Sequence, residues 1–283
     1  MVTLKNEVMT VEIRELGAEI QSVKAYGVDY FWNGDPAWWS GHAPVLFPIC
    51  GRLRNNQYRY EGKTYEMFCH GFAKESEFDV ASLTETEAVF ALRDSEKTRA
   101  QYPFSFEFRV TYALEGDRLV VKYAIANLMK DTVLPASVGS HEAYMCPEGI
   151  PAYEVVFEKE EPLESYVVGD GMQHETYTVE APNGVLPLKD EFFAIDALVF
   201  RELQSNEITL RNRTTGRGVK VDYTGADTLL IWSKPGAPYV CIEPWCGFPD
   251  WGDFNGEFTE KDGMRMIQPG DTYTVQHSIT MLP

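Results

Sequence analysis

Apolar and polar residues alternate with a period of two along much of this chain. Every second residue between positions 104 and 114 is apolar, and polar residues such as Glu107 and Arg109 stand between them. This pattern is typical of a strand with one face on a hydrophobic core and the other in solvent. After the turn sequence Glu115-Gly116-Asp117 the alternation resumes over residues 119–125. The two runs therefore predict an antiparallel hairpin.

Shorter runs of the same kind predict further strands. They cover residues 58–65, interrupted by Gly62, and residues 88–92, 208–210, 219–223, 229–232, 239–242 and 273–281. One helix is predicted over residues 95–101, capped by Asp94 or Ser95 and ended before Pro103. Strands and helices do not alternate, which argues against α/β folds, and no fixed-period repeat or linker is visible. The sequence thus predicts one all-β domain over residues 1–283, built from two packed antiparallel sheets.

Charge and composition limit the classes of partner. The chain has 283 residues, of which 44% are hydrophobic and 24% charged, and its formal net charge is −18. Such a composition is that of an ordinary globular protein. Nucleic acids and anionic membranes bind clustered Lys and Arg, so neither is expected as a partner. A neutral small molecule remains open.

Targeting signals and cysteine motifs are also missing from the sequence. Charged residues interrupt the first 16 positions, which argues against a signal peptide, and there is no run of about 18 apolar residues. The five cysteines form no CxxC pair and are expected to be buried, reduced thiols. We therefore expect a soluble cytoplasmic protein.

Two histidines lie in settings that suit a ligand site. His70 precedes Gly71, where a ligand can approach the backbone closely, although a histidine satisfied within its loop fits equally well. His141 follows an apolar strand and could transfer a proton to an ether or hydroxyl oxygen. The alternative for His141 is an edge-strand residue facing solvent. Glu142, if extended, points to the opposite face and cannot orient His141.

The remaining histidines carry less information. His174 and His277 are predicted to lie on the surface, and the role of His42 is left open. His42, His70 and His141 lack the close spacing of metal ligands. We predict neither a metal nor a cofactor.

Three charged residues complete the candidate set. Glu243 ends the apolar run 239–242, where burial would raise its pKa toward the range of a general base. Its alternative is a structural acid paired with arginine. Arg52 follows another apolar run and could be that partner or a donor to ligand hydroxyls. Asp196 lies alone in an apolar segment and fits a turn, a cap or a ligand contact. Beside glycine and proline turns, Trp38, Trp245 and Trp251 could form apolar walls of a concave site.

Several short motifs together resemble the aldose 1-epimerase (galactose mutarotase-like) family, in particular its LacX-like bacterial branch. Each motif is weak alone, but their order and spacing are fairly specific across nearly the whole chain. The motifs are Ala43-Pro44-Val45-Leu46-Phe47-Pro48-Ile49-Cys50-Gly51-Arg52-Leu53, His70-Gly71-Phe72-Ala73, Tyr102-Pro103-Phe104, Gly139-Ser140-His141 and Glu243-Pro244-Trp245.

The resemblance implies a fold and a chemistry. The fold is a large antiparallel β-sandwich, and the activity is cofactor-free interconversion of the α and β anomers of a free aldose. By the resemblance, Glu243 is the general base on the anomeric hydroxyl and His141 the general acid on the ring oxygen. Arg52, His70 and Asp196 would bind the monosaccharide. The family commonly has proline after this histidine, where the present chain has Glu142.

Other functions are also consistent with the residues. One is a carbohydrate-binding or sensing domain without turnover, and another is a hexose-6-phosphate 1-epimerase. A third is a glycoside hydrolase or lyase that pairs Glu243 with Asp250 or Asp253. Whether two copies form a homodimer is left undecided by the sequence.

Overall fold

Strands dominate the computed structural model, which describes residues 1–169 and 171–283. In chain order the strands are β1 (Val2–Lys5), β2 (Met9–Ile13), β3 (Ile20–Ala25), β4 (Val28–Asp29), β5 (Val45–Leu46), β6 (Gln57–Tyr60), β7 (Lys63–Glu66), β8 (Asp79–Leu83), β9 (Glu87–Arg93), β10 (Phe106–Glu115), β11 (Arg118–Asn127), β12 (Leu134–Ala136), β13 (Val138–Ser140), β14 (Glu142–Met145), β15 (Tyr153–Phe157), β16 (Leu163–Gly169), β17 (Gly171–Val179), β18 (Val185–Pro187), β19 (Leu198–Arg201), β20 (Glu207–Asn212), β21 (Gly218–Asp222), β22 (Thr228–Trp232), β23 (Tyr239–Cys246), β24 (Arg265–Ile267) and β25 (Thr272–Leu282).

Helical structure is sparse, as the pattern predicts. The α-helix α1 spans Glu96–Gln101, and its cap is Ser95, whose hydroxyl accepts a hydrogen bond from the Thr98 backbone N–H. Short 3-10 turns cover Arg54–Asn56, Ala73–Glu75, Ile150–Ala152, Pro182–Gly184, Asp190–Phe193 and Phe258–Glu260. No helix in the described ranges has both the length and the apolar character needed to span a membrane.

The predicted hairpin is confirmed as β10 and β11. The two strands pair antiparallel from Phe106 opposite Asn127 to Glu115 opposite Arg118. Along β10 the residues from Phe106 to Leu114 at even positions are buried, while those between them are more exposed. The period of two in the sequence therefore reflects one face packed on the core.

Two large antiparallel sheets form the layers of a β-sandwich. The nine-stranded sheet has the order β18-β15-β20-β21-β25-β11-β10-β9-β8, and the other sheet has the order β19-β22-β23-β13-β5, with β14 also paired to β23. Between them lies one hydrophobic core cluster that draws residues from both. Aromatic contacts cross this interface: the Phe47 and Phe108 rings stack at 4.4 Å, and those of Phe157 and Phe200 meet edge-on at 6.1 Å. The predicted all-β sandwich is thus confirmed.

Smaller sheets complete the molecule. β1–β4 form a four-stranded sheet, while β12 with β24, β16 with β17 and β6 with β7 form two-stranded ones. The paired strands β16 and β17 contribute residues to a cavity on the six-stranded layer, on the side away from the main core. All five cysteines are free, and four of them are buried, as expected.

Candidate active site

A cavity of about 520 Å³ opens on the outer face of β22 and β23. Its volume falls in the range of roughly 300–1,000 Å³ that small-molecule sites occupy. All five residues singled out from the sequence line it: Arg52, His70, His141, Asp196 and Glu243. The fold therefore gathers residues that are up to 191 positions apart, 243 minus 52, around one space.

Glu243 lies in the middle of the six-stranded layer. Every residue of β23 is buried, and Glu243 is only 2% exposed. Because strand side chains alternate, Glu243 and Cys241 share the cavity side while Ile242 joins the main core. Burial raises the pKa of Glu243 well above its ordinary value, and the carboxylates of Asp196 and Glu142 raise it further. Within residues 1–169 and 171–283 no arginine pairs with it, so the structural-acid alternative finds no support.

His141 lies opposite Glu243, in the junction between β13 and β14. Its Nε2 is 3.4 Å from Oε2 of Glu243. The ring stacks on Trp39 with centroids 5.0 Å apart, and Trp232 meets it edge-on at 5.8 Å. Burial in these surroundings lowers the pKa of His141 to about 4. The structure thus pairs one buried imidazole with one buried carboxyl at the cavity wall.

Glu142 points away from this pair, as its place in an extended segment predicts. Its Oε1 lies 2.8 Å from Nε2 of His277 on β25, in the opposite sheet. The prediction that His277 lies on the surface is wrong, since its side chain is 5% exposed. Along β25, His277 has the same phase as Val275 and Ile279, and that phase is the inward one. The charge next to His141 is therefore held between the sheets rather than in the cavity.

His70 lies at a turn that is tied to the loop before Arg52. Its backbone has a φ of +67°, a left-handed conformation that is uncommon for a residue other than glycine. The Gly51 N–H donates to His70 Nδ1 at 3.2 Å, and the His70 N–H donates to the Gly51 carbonyl at 2.9 Å. Burial, with the nearby charges of His141, Lys74 and Arg52, lowers the pKa of His70 well below its usual value. Because Nδ1 accepts a hydrogen bond, the proton of the neutral ring is on Nε2, which is left as a donor.

Arg52 is exposed, and hydrogen bonds to Asp250 hold the loop that carries it. The Asp250 N–H donates to the Arg52 carbonyl at 2.9 Å, and Asp250 Oδ2 accepts from the Arg54 N–H at 2.9 Å. Asp250 itself is buried beside Lys261, with 3.1 Å between Oδ1 and Nζ. This buried pair orients the backbone that carries both arginines of the cavity lining.

Asp196 lies in the bend between the turn Asp190–Phe193 and β19. Its Oδ1 accepts a hydrogen bond from the Ala197 N–H at 2.8 Å. The residue therefore stabilises its own turn as predicted, and because it also lines the cavity, the predicted ligand contact stays a prediction.

Tryptophans form much of the apolar wall. Trp245 lines the cavity as predicted, and its ring meets His70 edge-on at 5.5 Å. The prediction is wrong for Trp38 and Trp251, which are not among the lining residues. Trp39 and Trp232 take that role, and sequence reasoning missed them. The pair Trp38-Trp39 beside Gly41 is a signal for Trp39, but Trp232 ends the continuous apolar run of β22 and cannot be told from a core residue there.

The carboxylates suggested for a hydrolase lie elsewhere. Asp250 is paired with Lys261, and Asp253 is exposed beside His174, 3.2 Å from its Nε2. In the described part of the lining, Asp196 is the carboxylate that accompanies Glu243. The hydrolase pairing of Glu243 with Asp250 or Asp253 therefore has no geometric support.

The histidine set considered for a metal does not assemble either. His42 directs Nδ1 at the carbonyl oxygens of Gln21 and Trp32, at 3.0 and 3.1 Å, and is not a lining residue. A different group lies close together: one ligand atom each of His141, Cys241 and Glu243, all within 4.8 Å of one another.

Comparison with known proteins identifies the family. The family model described as aldose 1-epimerase matches residues 1–280. Protein LacX of Lactococcus lactis subsp. lactis is 31% identical, and the alignment covers 99% of both chains.

Two solved structures share the fold along the entire chain. A galactose mutarotase related enzyme from Lactobacillus acidophilus superposes with a TM-score of 0.94 at 33% identity, covering 100% of this chain and 97% of that one. A galactose mutarotase-like protein from Lactobacillus casei superposes with a TM-score of 0.92 at 27% identity, covering 100% of both chains. With these relatives and the matching family model, the chain belongs to the aldose 1-epimerase family.

Proposed function

We propose that this protein interconverts the α and β anomers of a free aldohexose by acid–base ring opening and reclosure, without a cofactor. The single observation that carries the proposal is the buried pair at the cavity wall, His141 Nε2 and Glu243 Oε2, 3.4 Å apart. Two positioned proton-transfer groups are what this reaction needs, and each such group typically contributes about 10²–10⁴-fold.

In the proposed reaction the sugar gives one proton to Glu243 and receives one proton from His141. Glu243 accepts the proton of the anomeric hydroxyl while the bond between C1 and the ring oxygen breaks. The electron pair of that bond goes to the ring oxygen, which takes a proton from His141, and an aldehyde forms. Rotation about C1–C2 followed by the reverse transfers closes the other anomer.

The surroundings of the pair suit this cycle. Ring opening converts a Glu243 carboxylate and a His141 imidazolium into two neutral groups. Burial favours the neutral form of both side chains, which is why the pKa of Glu243 is raised and that of His141 is lowered. The site therefore stabilises the open-chain stage, which is otherwise the high-energy stage of the reaction.

Three further residues are proposed to bind the sugar. His70 presents Nε2–H as a donor, Arg52 offers a fork of donors at the exposed end, and Asp196 offers acceptors across the cavity. The tryptophan walls supply apolar faces for the ring carbons. These contacts would hold the sugar while C1 and the ring oxygen face the acid–base pair.

The experiment is anomer exchange measured by magnetisation-transfer NMR on equilibrated glucose and galactose. Glu243→Gln and His141→Ala are each expected to lower the exchange rate by at least ~10². Asp253→Asn is the matched control, since this exposed carboxylate lies outside the cavity lining. Undiminished exchange in both site variants would refute the roles. A sugar-dependent rise in melting temperature without any exchange would instead favour the binding-domain alternative.

A phosphorylated hexose is a second candidate substrate. Arg52 and Arg54 both line the cavity, and arginine pairs are suited to phosphate. Exchange of glucose 6-phosphate that is faster than that of glucose, and that is lost in Arg54→Ala, would support this alternative. Equal rates for the two sugars would exclude a dedicated phosphate contact.

A further inference from the structure

Cys241 is a buried thiol that the proposed sugar reaction does not use. It precedes Glu243 by two residues on β23, so both side chains emerge on the same face of the strand. Cys241 is 0% exposed and Glu243 2% exposed. One ligand atom each of Cys241, Glu243 and His141 falls within a span of 4.8 Å.

The three side chains offer sulfur, nitrogen and oxygen, which is a donor set that zinc accepts. Structural and catalytic zinc sites are built from Cys, His and carboxylate ligands, whereas Mg²⁺ and Ca²⁺ take oxygen ligands. A tetrahedral ion with bonds of about 2.0–2.3 Å holds its ligand atoms roughly 3.5 Å apart. His141 Nε2 and Glu243 Oε2 already have a separation of 3.4 Å. Ligand atoms as far apart as 4.8 Å would therefore have to approach each other by about 1.3 Å.

The position of the trio determines what a bound ion would do. His141 and Glu243 line the cavity, while Cys241 lies behind them beside Trp232 and Tyr239. An ion bound to all three would keep its fourth coordination position toward the cavity. It would also occupy both proton-transfer groups at once.

We propose that His141, Cys241 and Glu243 form a binding site for a thiophilic divalent cation such as Zn²⁺, and that its occupation inhibits the sugar reaction. A zinc–sulfur bond forms in place of the S–H bond, and the thiol proton leaves to solvent. The inhibition rests on the proposed epimerase function, whereas the binding does not.

Cobalt(II) provides a test of the binding that is independent of activity. Co²⁺ alone is added to the full chain, and the sulfur-to-cobalt charge-transfer band is followed. Wild type is expected to show this band with one ion per chain, and Zn²⁺ is expected to displace it. Cys241→Ser should lack the band. Cys69→Ser should retain it, and it is the matched control because Cys69 is another thiol that lines the cavity.

Several results would overturn the site. They are a wild-type protein without the band, a band that persists in Cys241→Ser, and a band that disappears in Cys69→Ser. Circular dichroism tests whether Cys241→Ser is folded. If it is not folded, His141→Ala takes its place and is expected to weaken cobalt binding by at least ~10-fold, since even groups outside the ligand set change affinity by 10–100-fold. Unchanged cobalt affinity in that variant would also overturn the site.

The inhibition is tested separately by anomer exchange with and without Zn²⁺. We expect inhibition that competes with the sugar, is reversed by a chelator and needs ~100-fold more Zn²⁺ in Cys241→Ser. Inhibition without a sulfur band would place the ion elsewhere and overturn the assignment. A wild-type protein with the cobalt band but no exchange of any sugar would overturn the epimerase function and leave the metal site standing.

Discussion

The buried pair of Glu142 and His277 provides a quantitative test of how the two sheets are joined behind the cavity. Glu142 belongs to β14 and His277 to β25, and 2.8 Å separate Oε1 from Nε2. Their side chains are 3% and 5% exposed, so water does not replace a lost partner. Oε2 of Glu142 has no hydrogen-bond partner among the described residues. His277 is therefore the neighbour on which this carboxylate depends.

The perturbation is a double-mutant cycle of Glu142→Met and His277→Leu. His277→Leu leaves a buried carboxylate without its partner, which typically costs about 3–5 kcal/mol. Glu142→Met leaves a buried imidazole without an acceptor, and an unpaired neutral group costs about 1–3 kcal/mol. The double variant removes both polar groups, and replacing a buried pair by apolar side chains is often neutral or stabilising. We expect the double variant to be more stable than His277→Leu alone.

Urea unfolding followed by circular dichroism measures the cycle. Midpoints at an unchanged slope report the free energy of unfolding of each variant. The expected coupling between the two positions is at least ~2 kcal/mol, in the upper part of the range found for residues in contact. The argument would be refuted if each single variant lost less than ~1 kcal/mol of unfolding free energy and if the loss in the double variant equalled the sum of the two. The pair would then be incidental to the packing of the two sheets.

Two further predictions concern the acid–base pair and its supporting wall. The pair must hold one proton, so kcat/KM for anomer exchange, measured in the presence of a chelator, should be bell-shaped in pH. Activity should fall below about pH 4, because His141 is then protonated while Glu243 is still protonated. Activity should also fall at high pH, once the pH exceeds the raised pKa of Glu243 and the pair has lost its proton. A loss of activity that begins well above pH 4 on the acidic side would contradict this prediction. Gly139→Ala should lower stability by about 1–3 kcal/mol in thermal unfolding, because its Cβ would lie 2.6 Å from Cδ1 of Trp245. Gly169→Ala is the comparison for crowding, because Gly169 has no left-handed backbone and its Cβ would meet only the flexible Gln173 side chain, at 3.2 Å; equal losses in the two variants would contradict that explanation.

Local patterns predicted the α-helix and the strands whose residues alternate or form an apolar run, because these signals extend over only a few residues; short strands such as β4 and β5 were not predicted. The alternation over 104–125 marks one buried face on each strand, and the β10–β11 hairpin follows from it with its turn. The α1 cap at Ser95 is likewise a contact over three residues. The prediction for His277 is wrong although its phase in β25 is inward, because a polar side chain is expected to face water unless a buried partner, here Glu142, satisfies it.

Side-chain roles at the site needed more than pattern. The isolated acid at the end of an apolar run correctly suggested that Glu243 is buried, because a strand buried on both faces reads as a continuous hydrophobic stretch. The residues that surround Glu243 in the cavity could not be predicted from such a run. Trp39, Trp232 and Cys241 sit in apolar contexts where residues of the core look the same as residues of a pocket wall.

The sequence by itself determined the fold class, the hairpins and the chemical types available for a site, because these depend on side-chain period and turn chemistry within a few residues. Short motifs that resemble those of a known family contain four of the five cavity residues, and Asp196 was singled out as a lone acid in an apolar segment. Only the tertiary structure decided that Arg52, His70, His141, Asp196 and Glu243 share one cavity and that Glu142 turns instead to His277. Such contacts join strands far apart in the chain, and their distances follow from how the sheets pair and pack rather than from any local pattern.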